Sequence, residues 1–412
     1  MYNLHLTPEQ REIRETVRDF VQREIRPIAL QRDRLEDFDE RFPWEALDQA
    51  SRMGLRTMAL SEKNGGAGAD NLTCCIVAEE LAVGDVGVSA TLSQTSTLAR
   101  VWFDRVMTPG QRERFLPPFL ADDRYHLAFA GHEPDTDLGW SYYRPPATTS
   151  GYKTTAVRDG NGDWVINGVK NFITNAPIAK LIAVQLRTVS KSGSSGVSAL
   201  LVPRDAPGLT IREHDKVGRR LGSNGELAFQ DCRVPAENLL GEEGRSPFLG
   251  GASALGRRIP RFQAMNLGIG RAAYEAALEY AKLRVQGGRP VIEHQSVGLA
   301  LADMAIKLEV ARNMIWHVAW ASDHPEAYAD ASLPDLPLQT IAKVFTSETV
   351  QQVCLEAAQI FGGMGVMREA PMQKYVRDAL IFLHSESTNS VARLRIAEAL
   401  AGYRREGSMA GE

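Results

Sequence analysis

Between Val297 and Val318 the apolar residues Val297, Leu301, Met304, Leu308, Ala311, Ile315 and Val318 advance by alternating steps of four and three. Such a stripe runs along one side of a helix, and its persistence calls for partners of the same kind, antiparallel helices packed in a bundle. A further helix carries Val376, Ala379, Leu380 and Leu383, and a last one spans NSVARLRIAEALAGYRRE. The beginning of the chain is helical too. Thr7-Pro8-Glu9-Gln10 is a capping box with proline at the first helical position, followed on one face by Ile13, Val17, Phe20, Val21 and Ile25. Thr108-Pro109-Gly110-Gln111 repeats that opening. Between the two helical parts the period changes to that of strands. Thr154 to Val157 and Trp164 to Phe172 flank the turn DGNGD, and GVSALLVP and Gly208 to Ile211 add short extended segments. The glycine-rich crossing GEEGRSPFLGGASALG leads back to helices. The expectation is an α+β multidomain chain: an N-terminal helical domain over residues 1–125, a middle β-barrel-like domain over 126–241 and a C-terminal four-helix bundle over 242–412.

Several function classes fall away on bulk properties. A net charge of -4 gives no attraction to nucleic acid. No run of about 18 apolar residues predicts a membrane span, and the opening MYNLHLTPEQ has neither the charged and apolar regions of a signal peptide nor a transit-peptide composition, so a cytoplasmic location is expected. Cys74, Cys75, Cys232 and Cys354 form no CxxC pair and no disulfide ladder; they read as reduced core thiols. The eight histidines make no HExxH and no spaced Cys/His cluster, which excludes a recognisable catalytic metal site. There is no GxGxxG after a strand, no Walker loop and no GxSxG elbow.

Two features keep alternatives open. QIFGGMG, residues 359 to 365, interrupts a helical run with paired glycines. Either it is a helix C-cap in the left-handed conformation, or the missing side chains admit a ligand close to the backbone. Glu386 stands between two serines where one helix pattern stops and the next begins. It is either a solvated acid near a helix start, with Ser387, Thr388 or Asn389 as the cap, or a carboxylate held for chemistry.

Five segments in order, spread over nearly the whole chain, resemble those of the acyl-CoA dehydrogenases. LAFAGHEPDTD is similar to the segment that in the family runs Thr-Glu-Pro and ends in Ser-Asp; VINGVKNFITN to its NGxKxWITN strand; LRVQGGRPVIEHQ to its arginine-containing helix end followed by Glu-His-Gln; QIFGGMG to its Gln-x-x-Gly-Gly-x-Gly; and VRDALIFLHSEST to the Arg-Asp-Ala helix that leads to the catalytic glutamate. The resemblance implies the acyl-CoA dehydrogenase fold, FAD as cofactor and an acyl-CoA thioester as substrate. Glu386 falls on the position of the catalytic base. It would remove the α-proton while a β-hydride passes to flavin N5, leaving a trans-2-enoyl-CoA. The thioester oxygen would be hydrogen-bonded by the Glu386 backbone N–H and a flavin hydroxyl as it gains charge. Cofactor positions carry over to His132, Thr136, Phe172 and Thr174 around the flavin, and to Arg284, Gln295, Gln359, Gly363 and Thr388 around its phosphates and adenosine, partly across a subunit boundary. The resemblance implies a homodimer or homotetramer, with an electron-transferring flavoprotein as the acceptor.

The sequence also departs from the family pattern. The Glu-Pro segment is two residues shorter, His132 replaces a threonine, Phe172 a tryptophan and Gly287 a common aromatic, while Ser385 and Ser387 stand for a bulky aromatic and a glycine. Thr136, Arg257, Arg258 and Ser385 are the candidate substrate contacts. Small polar groups beside the base, with two arginines in GRRIPRF, point to a cyclic, branched or polar acyl group, including one with a second carboxylate; alternatively the arginines contact only solvent or CoA phosphate. Competing readings are a flavin monooxygenase or a redox-silent acyl-CoA eliminase of the same fold, neither of which is expected to keep Glu386. A flavin-free helical interaction module draws support from the short Glu-Pro segment.

Overall fold

A computed structural model describes residues 5–134, 151–188, 196–248, 260–324, 326, 337–385 and 387–401. Both capping boxes form. Thr7 Oγ1 accepts the Gln10 N–H and Gln10 Oε1 the Thr7 N–H, each at 3.1 Å, and Thr108 and Gln111 exchange the same bonds at 3.3 and 3.0 Å. They start α1 (Pro8–Phe20) and α7 (Pro109–Ala121). A π turn continues α1 into α2 (Arg26–Asp33), and α3 (Phe38–Arg41), α4 (Trp44–Arg52), α5 (Asn71–Gly84) and α6 (Val86–Val101) follow. Val17, Phe20, Val21 and Ile25 are buried along the predicted face, with Ile13 packed at its edge. α5 is buried on nearly every side because it lies between α1 and the C-terminal helices.

Among the described residues one eight-stranded sheet comprises β1 (His126–Ala130), β2 (Thr155–Arg158), β3 (Trp164–Thr174), β4 (Ala179–Arg187), β5 (Val197–Pro203), β6 (Leu209–Glu213), β7 (Asn224–Val234) and β8 (Leu239–Leu240), in the order β6-β7-β3-β2-β4-β5-β8 with β1 parallel to β4. The DGNGD turn joins β2 to β3 as a hairpin, and Asp159 Oδ1 accepts from the Asn161 and Asp163 amides at 2.8 and 3.1 Å. Trp164, Ile166, Val184, Leu200 and Phe229 fill the sheet's core.

The chain then returns to helices: α8 (Arg261–Leu283), a short hairpin of β9 (Val285–Gln286) and β10 (Arg289–Pro290), α9 (Gln295–Asp323), α10 (Leu338–Ile360), α11 (Met372–Phe382) and α12 (Asn389–Leu400). Leu301, Met304, Leu308, Ala311, Ile315 and Val318 are buried in the seam of α9, with Val297 half-buried at its start. α8, α9 and α10 pack on one another, α11 lies against α8 and α10, and α5 docks on α8. The stripe read on α11 is only partly the buried one. Ala379 is buried, but Leu380 is 40% exposed, and the buried face runs through Met372, Lys374, Asp378, Ala379 and Phe382. Charged residues occupy it because their partners come from other parts of the chain. All four cysteines are buried and free. No described helix is long and apolar enough to cross a membrane.

Candidate active site

β3 carries the first wall of the site. Its ladder on β7 shifts register between Lys170 and Ile173, a bulge that re-aims side chains near the strand end. Within it Phe172 takes φ 55°, a left-handed conformation that a bulky residue rarely adopts, and its ring is 68% exposed. Backbone strain that holds a large aromatic out toward solvent points to a use for the ring other than stability. Asn171 fixes the geometry: its Oδ1 accepts the Phe172 N–H at 2.9 Å and His214 Nε2–H at 2.6 Å, and the His214 ring lies 5.2 Å from that of Phe172. The Asn171 N–H donates to the His132 carbonyl at 2.9 Å, which brings the exposed His132 beside the bulge. Thr174 follows, half-buried.

The glutamate of the Glu-Pro segment holds that segment in place. Glu133 accepts the Lys170 ammonium at 2.8 Å and the Lys153 and Thr154 amides at 2.7 and 3.0 Å, and Lys170 Nζ also lies 3.9 Å from the Tyr152 ring. Burial pushes the Glu133 carboxyl up, but the Lys170 charge and the hydrogen bonds carry it below its ordinary value. Burial brings Lys170 down to about 8 against the pull of Glu133. The pair is therefore ionised at neutral pH.

The second wall is the passage from α11 to α12. Ser385 Oγ donates to the Ile381 carbonyl at 3.0 Å, the Ser387 N–H donates to the Ser385 carbonyl at 2.7 Å, and Thr388 caps α12 by accepting the Val391 N–H at 3.3 Å. Lys343 of α10, 6% exposed, ties this passage together. Its ammonium donates to the Leu383 carbonyl at 3.4 Å, the Ser387 carbonyl at 2.6 Å and Asn389 Oδ1 at 2.5 Å. A cation there suits the carbonyl end of α11. A niche of about 10 Å³, room for one water molecule, is lined by Phe262, Gln263 and Asn266 of α8, Lys343 and Ser347 of α10, and Phe382 and Ser385. Glu386, Thr136, Arg257 and Arg258 lie outside the described residues.

One residue touches both walls. Arg219, at φ 51° and 5% exposed, donates its backbone N–H to Asp378 Oδ1 at 2.6 Å and its guanidinium to Thr174 Oγ1 at 3.2 Å. Asp378 Oδ2 lies 2.5 Å from Lys374 Nζ, which lies 2.7 Å from Asp85 Oδ2. Asp85 in turn caps α6 through the Gly87 and Val88 amides at 2.7 and 3.1 Å. Arg377, the arginine of the Arg-Asp-Ala motif, pairs with the buried Asp33 of α2 at 2.5 Å and donates to the Val217 carbonyl. The motif thus orients α11 against the sheet and the N-terminal helices.

The remaining candidates gather at one end of the bundle, where Tyr280 of α8 stacks on Phe361 beyond α10 with ring centroids 4.2 Å apart. Arg284 caps α8 and reaches Gln286 Oε1 at 3.3 Å, leaving most of its donors exposed. Gln295 and Gln359 are exposed at the start of α9 and the end of α10. At QIFGGMG both readings of the motif have support. Gly362 takes φ 57°, ending the helix, while nothing lies within 4 Å of where a Gly363 side chain would begin. Gly287, at φ 63°, belongs to the β9–β10 turn, which explains the missing aromatic.

Sequence reasoning did not find Lys343, Lys374, Asp85 or Arg219. The available signal was a lysine at an otherwise buried helical position, in IAKVF and in MQKYV. Among the described residues no cluster could hold a metal ion.

Comparison with known proteins follows the same division of the chain. Models of the N-terminal, middle and C-terminal domains of acyl-CoA dehydrogenase match residues 7–123, 147–232 and 256–401. A probable acyl-CoA dehydrogenase of Bacillus subtilis is 34% identical over 404 residues, 97% of this chain and 99% of the relative. A short-chain-specific acyl-CoA dehydrogenase of Megasphaera elsdenii is 34% identical over 394 residues, 94% of this chain and 97% of the relative. The solved structure of butyryl-CoA dehydrogenase from the same organism aligns with a TM-score of 0.85 at 33% identity, covering 97% of this chain and 100% of that one.

Proposed function

The chain belongs to the acyl-CoA dehydrogenase family, and from that premise we propose how its residues carry out FAD-dependent dehydrogenation of an acyl-CoA thioester to the 2-enoyl-CoA. Glu386 is the base that takes the α-proton. The observation that carries this reading is the double contact of Arg219, which locks the helix leading to Glu386 against the strand that bears Phe172 and Thr174. Lys343 holds the passage at the Leu383 and Ser387 carbonyls, on the two sides of residue 386 in the sequence. Exclusion of water by the bound thioester raises the carboxylate's proton affinity and makes it a stronger base.

The residues present fit FAD. His132, Thr136, Phe172 and Thr174 would hold the flavin, the exposed Phe172 ring offering it an aromatic face. Arg284, Gln295, Gln359, Gly363 and Thr388 would hold its phosphates and adenosine: a guanidinium with free planar donors suits a pyrophosphate, and the open space at Gly363 admits close approach. Bound there, FAD supplies the two-electron acceptor for the β-hydride. Thr136, Arg257, Arg258 and Ser385 are assigned to the thioester. A short acyl chain accords with the relatives' specificity.

The apolar rim at the adenosine end, with Leu283 79%, Val285 58% and Val366 78% exposed, favours a second subunit there. Leu299, Ile306 and Val310 expose a second stripe on α9, which extends the reading from a dimer to a tetramer. The reading divides the chain at 125 and 241, takes an electron-transferring flavoprotein as acceptor and, from its four reduced thiols, places the protein in the cytoplasm. The test is Glu386→Gln in the FAD-loaded protein. It is expected to keep its flavin and lose about three orders of magnitude in the rate at which butyryl-CoA bleaches it anaerobically; a variant of ordinary rate would end the assignment.

A further inference from the structure

Arg261 opens α8, 4% exposed, and is only partly satisfied. One guanidinium nitrogen, Nη1, donates to the Ser93 carbonyl of α6 at 3.2 Å and to Thr97 Oγ1. Nε and the other terminal nitrogen, Nη2, have no hydrogen-bond partner among the described residues, and no described carboxylate pairs with the side chain. A buried guanidinium with unmade hydrogen bonds is costly, and leaving it so needs a reason. The two idle donors are also particular. Nε and Nη2 form the side-on edge of the guanidinium, two parallel N–H groups spaced to take both oxygens of one carboxylate.

The location gives that edge a meaning. Arg261 is followed on α8 by Phe262, Gln263 and Asn266, which line the niche shared with Ser385 and Lys343. At about 1.5 Å rise per residue, Arg261 stands some 7.5 Å along the helix from Asn266, within reach of the far end of a short acyl group whose thioester end lies at the α11–α12 passage. Polar groups lie close to it. Ser93 and Thr97 lie one turn apart on a half-open face of α6, and Asn266 Oδ1 is itself buried without a partner. A pocket evolved only for a saturated short chain has no use for a buried cation at that depth.

We propose that Arg261 is a specificity-determining residue that binds the terminal carboxylate of a short dicarboxylic acyl group, so that the substrate class is dicarboxylyl-CoA and not a simple fatty acyl-CoA. This rests on the dehydrogenase reading above and names the substrate of the same site. The sequence alone offered Arg257 and Arg258 for a second carboxylate, and both lie outside the described residues.

The experiment compares the FAD-loaded protein with Arg261→Met and Arg261→Lys, using glutaryl-CoA, butyryl-CoA and free CoA as probes. Two readouts are taken, anaerobic bleaching of the flavin and the shift of thermal unfolding on ligand addition. The expected result is a bleaching efficiency at least about tenfold higher for glutaryl-CoA than for butyryl-CoA, lost by about 10²-fold in Arg261→Met and partly restored in Arg261→Lys, with butyryl-CoA unharmed. Glutaryl-CoA should raise the unfolding temperature of the parent protein but not that of Arg261→Met, which without ligand should unfold at or above the parent's temperature because an unpaired buried charge is gone. A parent that prefers butyryl-CoA, or an Arg261→Met variant equally active on glutaryl-CoA, overturns the proposal. So does free CoA giving the same Arg261-dependent shift, since the arginine would then serve a CoA phosphate. Glu386→Gln separates the two levels: in that variant a glutaryl-CoA shift without bleaching keeps both readings, whereas bleaching of the parent protein by butyryl-CoA alone removes only the assignment of Arg261.

Discussion

Replacing Lys374 with methionine tests whether a buried charge cluster joins the three parts of the fold. Lys374 is 3% exposed and faces Asp378 and Asp85, which are 1% exposed each. Burial favours its neutral form, but the two carboxylates more than reverse this and hold the ammonium well above the ordinary lysine range. Methionine matches the side chain's length and leaves two carboxylates without a counter-ion. Removing one partner from such a pair costs about 3–5 kcal/mol. Over 412 residues an unfolding entropy of about 2.1 cal/mol/K per residue converts 4 kcal/mol into a fall of about 5 °C in Tm if the chain melts as one unit. Scanning calorimetry of the FAD-loaded protein measures it. A companion variant, Asp85→Asn with Lys374→Met and Asp378→Asn, removes all three charges while asparagine can still cap α6 and accept from Arg219. It should recover to within about 1–2 kcal/mol of the parent. A single variant that melts within about 1 °C of the parent, or a triple variant no better than the single one, would refute the reasoning.

Two further outcomes follow from the site's geometry. Phe172→Gly removes a left-handed strain at the cost of a freer unfolded chain, so stability should stay level or rise by about 1 kcal/mol while FAD affinity falls about tenfold; a clear loss of apoprotein stability would contradict this. His126, fully buried beside Thr95 with Nδ1 3.1 Å from its hydroxyl and Nε2 without a partner, is pulled from 6.5 to about 3 by burial, with Arg56 adding to the effect. Its folded value lies below the unfolded one, so the unfolded chain takes up the proton first as pH falls, and the contribution present above pH 6.5 is lost on the way to pH 3. The loss reaches about 1.4 kcal/mol at pH 5.5, and His126→Asn should flatten the fall in unfolding free energy between pH 7.5 and 5.5 by about that much; an unchanged fall would sink it.

How legible these parts were depends on the range of the interactions behind them. The seam from Leu301 to Val318 and the boxes at Thr7 and Thr108 are local patterns, in which period and side-chain chemistry act within a turn or two. Thr388 was legible as the cap of α12, as one reading of the residues had it, while Glu386 lies outside the described residues. The charges that set the site were not. Glu133 and Lys170 are 37 positions apart, Arg219 and Asp378 159, and a sequence reader places each of these groups on the surface because its partner is remote. Leu380 shows the same limit from the other side: an apolar residue of the α11 pattern, it is 40% exposed because Lys374 and Asp378 take the buried face.

Why this junction uses charge follows from what must be aligned. Close backbone approach sets how near the layers come: a side chain at Gly218 would begin 2.2 Å from the Arg377 carbonyl oxygen, and one at Gly87 would begin 2.3 Å from the Gly222 amide nitrogen. Distance alone would still let α11 slide or turn about its axis, since apolar contact is non-directional. The hydrogen bond of Asp378 to the Arg219 amide is directional, the ion pair of Lys374 with Asp85 is short, and the two come from the sheet side and from the start of α6, so a shift of one helical residue breaks both. The guanidinium of Arg219 then carries the same register on to Thr174. The orientation of the helix that delivers Glu386 relative to the strand that bears Phe172 is therefore set by buried polar bonds before any ligand arrives, and a substitution at Arg219 or Asp378 should disturb the chemical step more than the binding of the thioester.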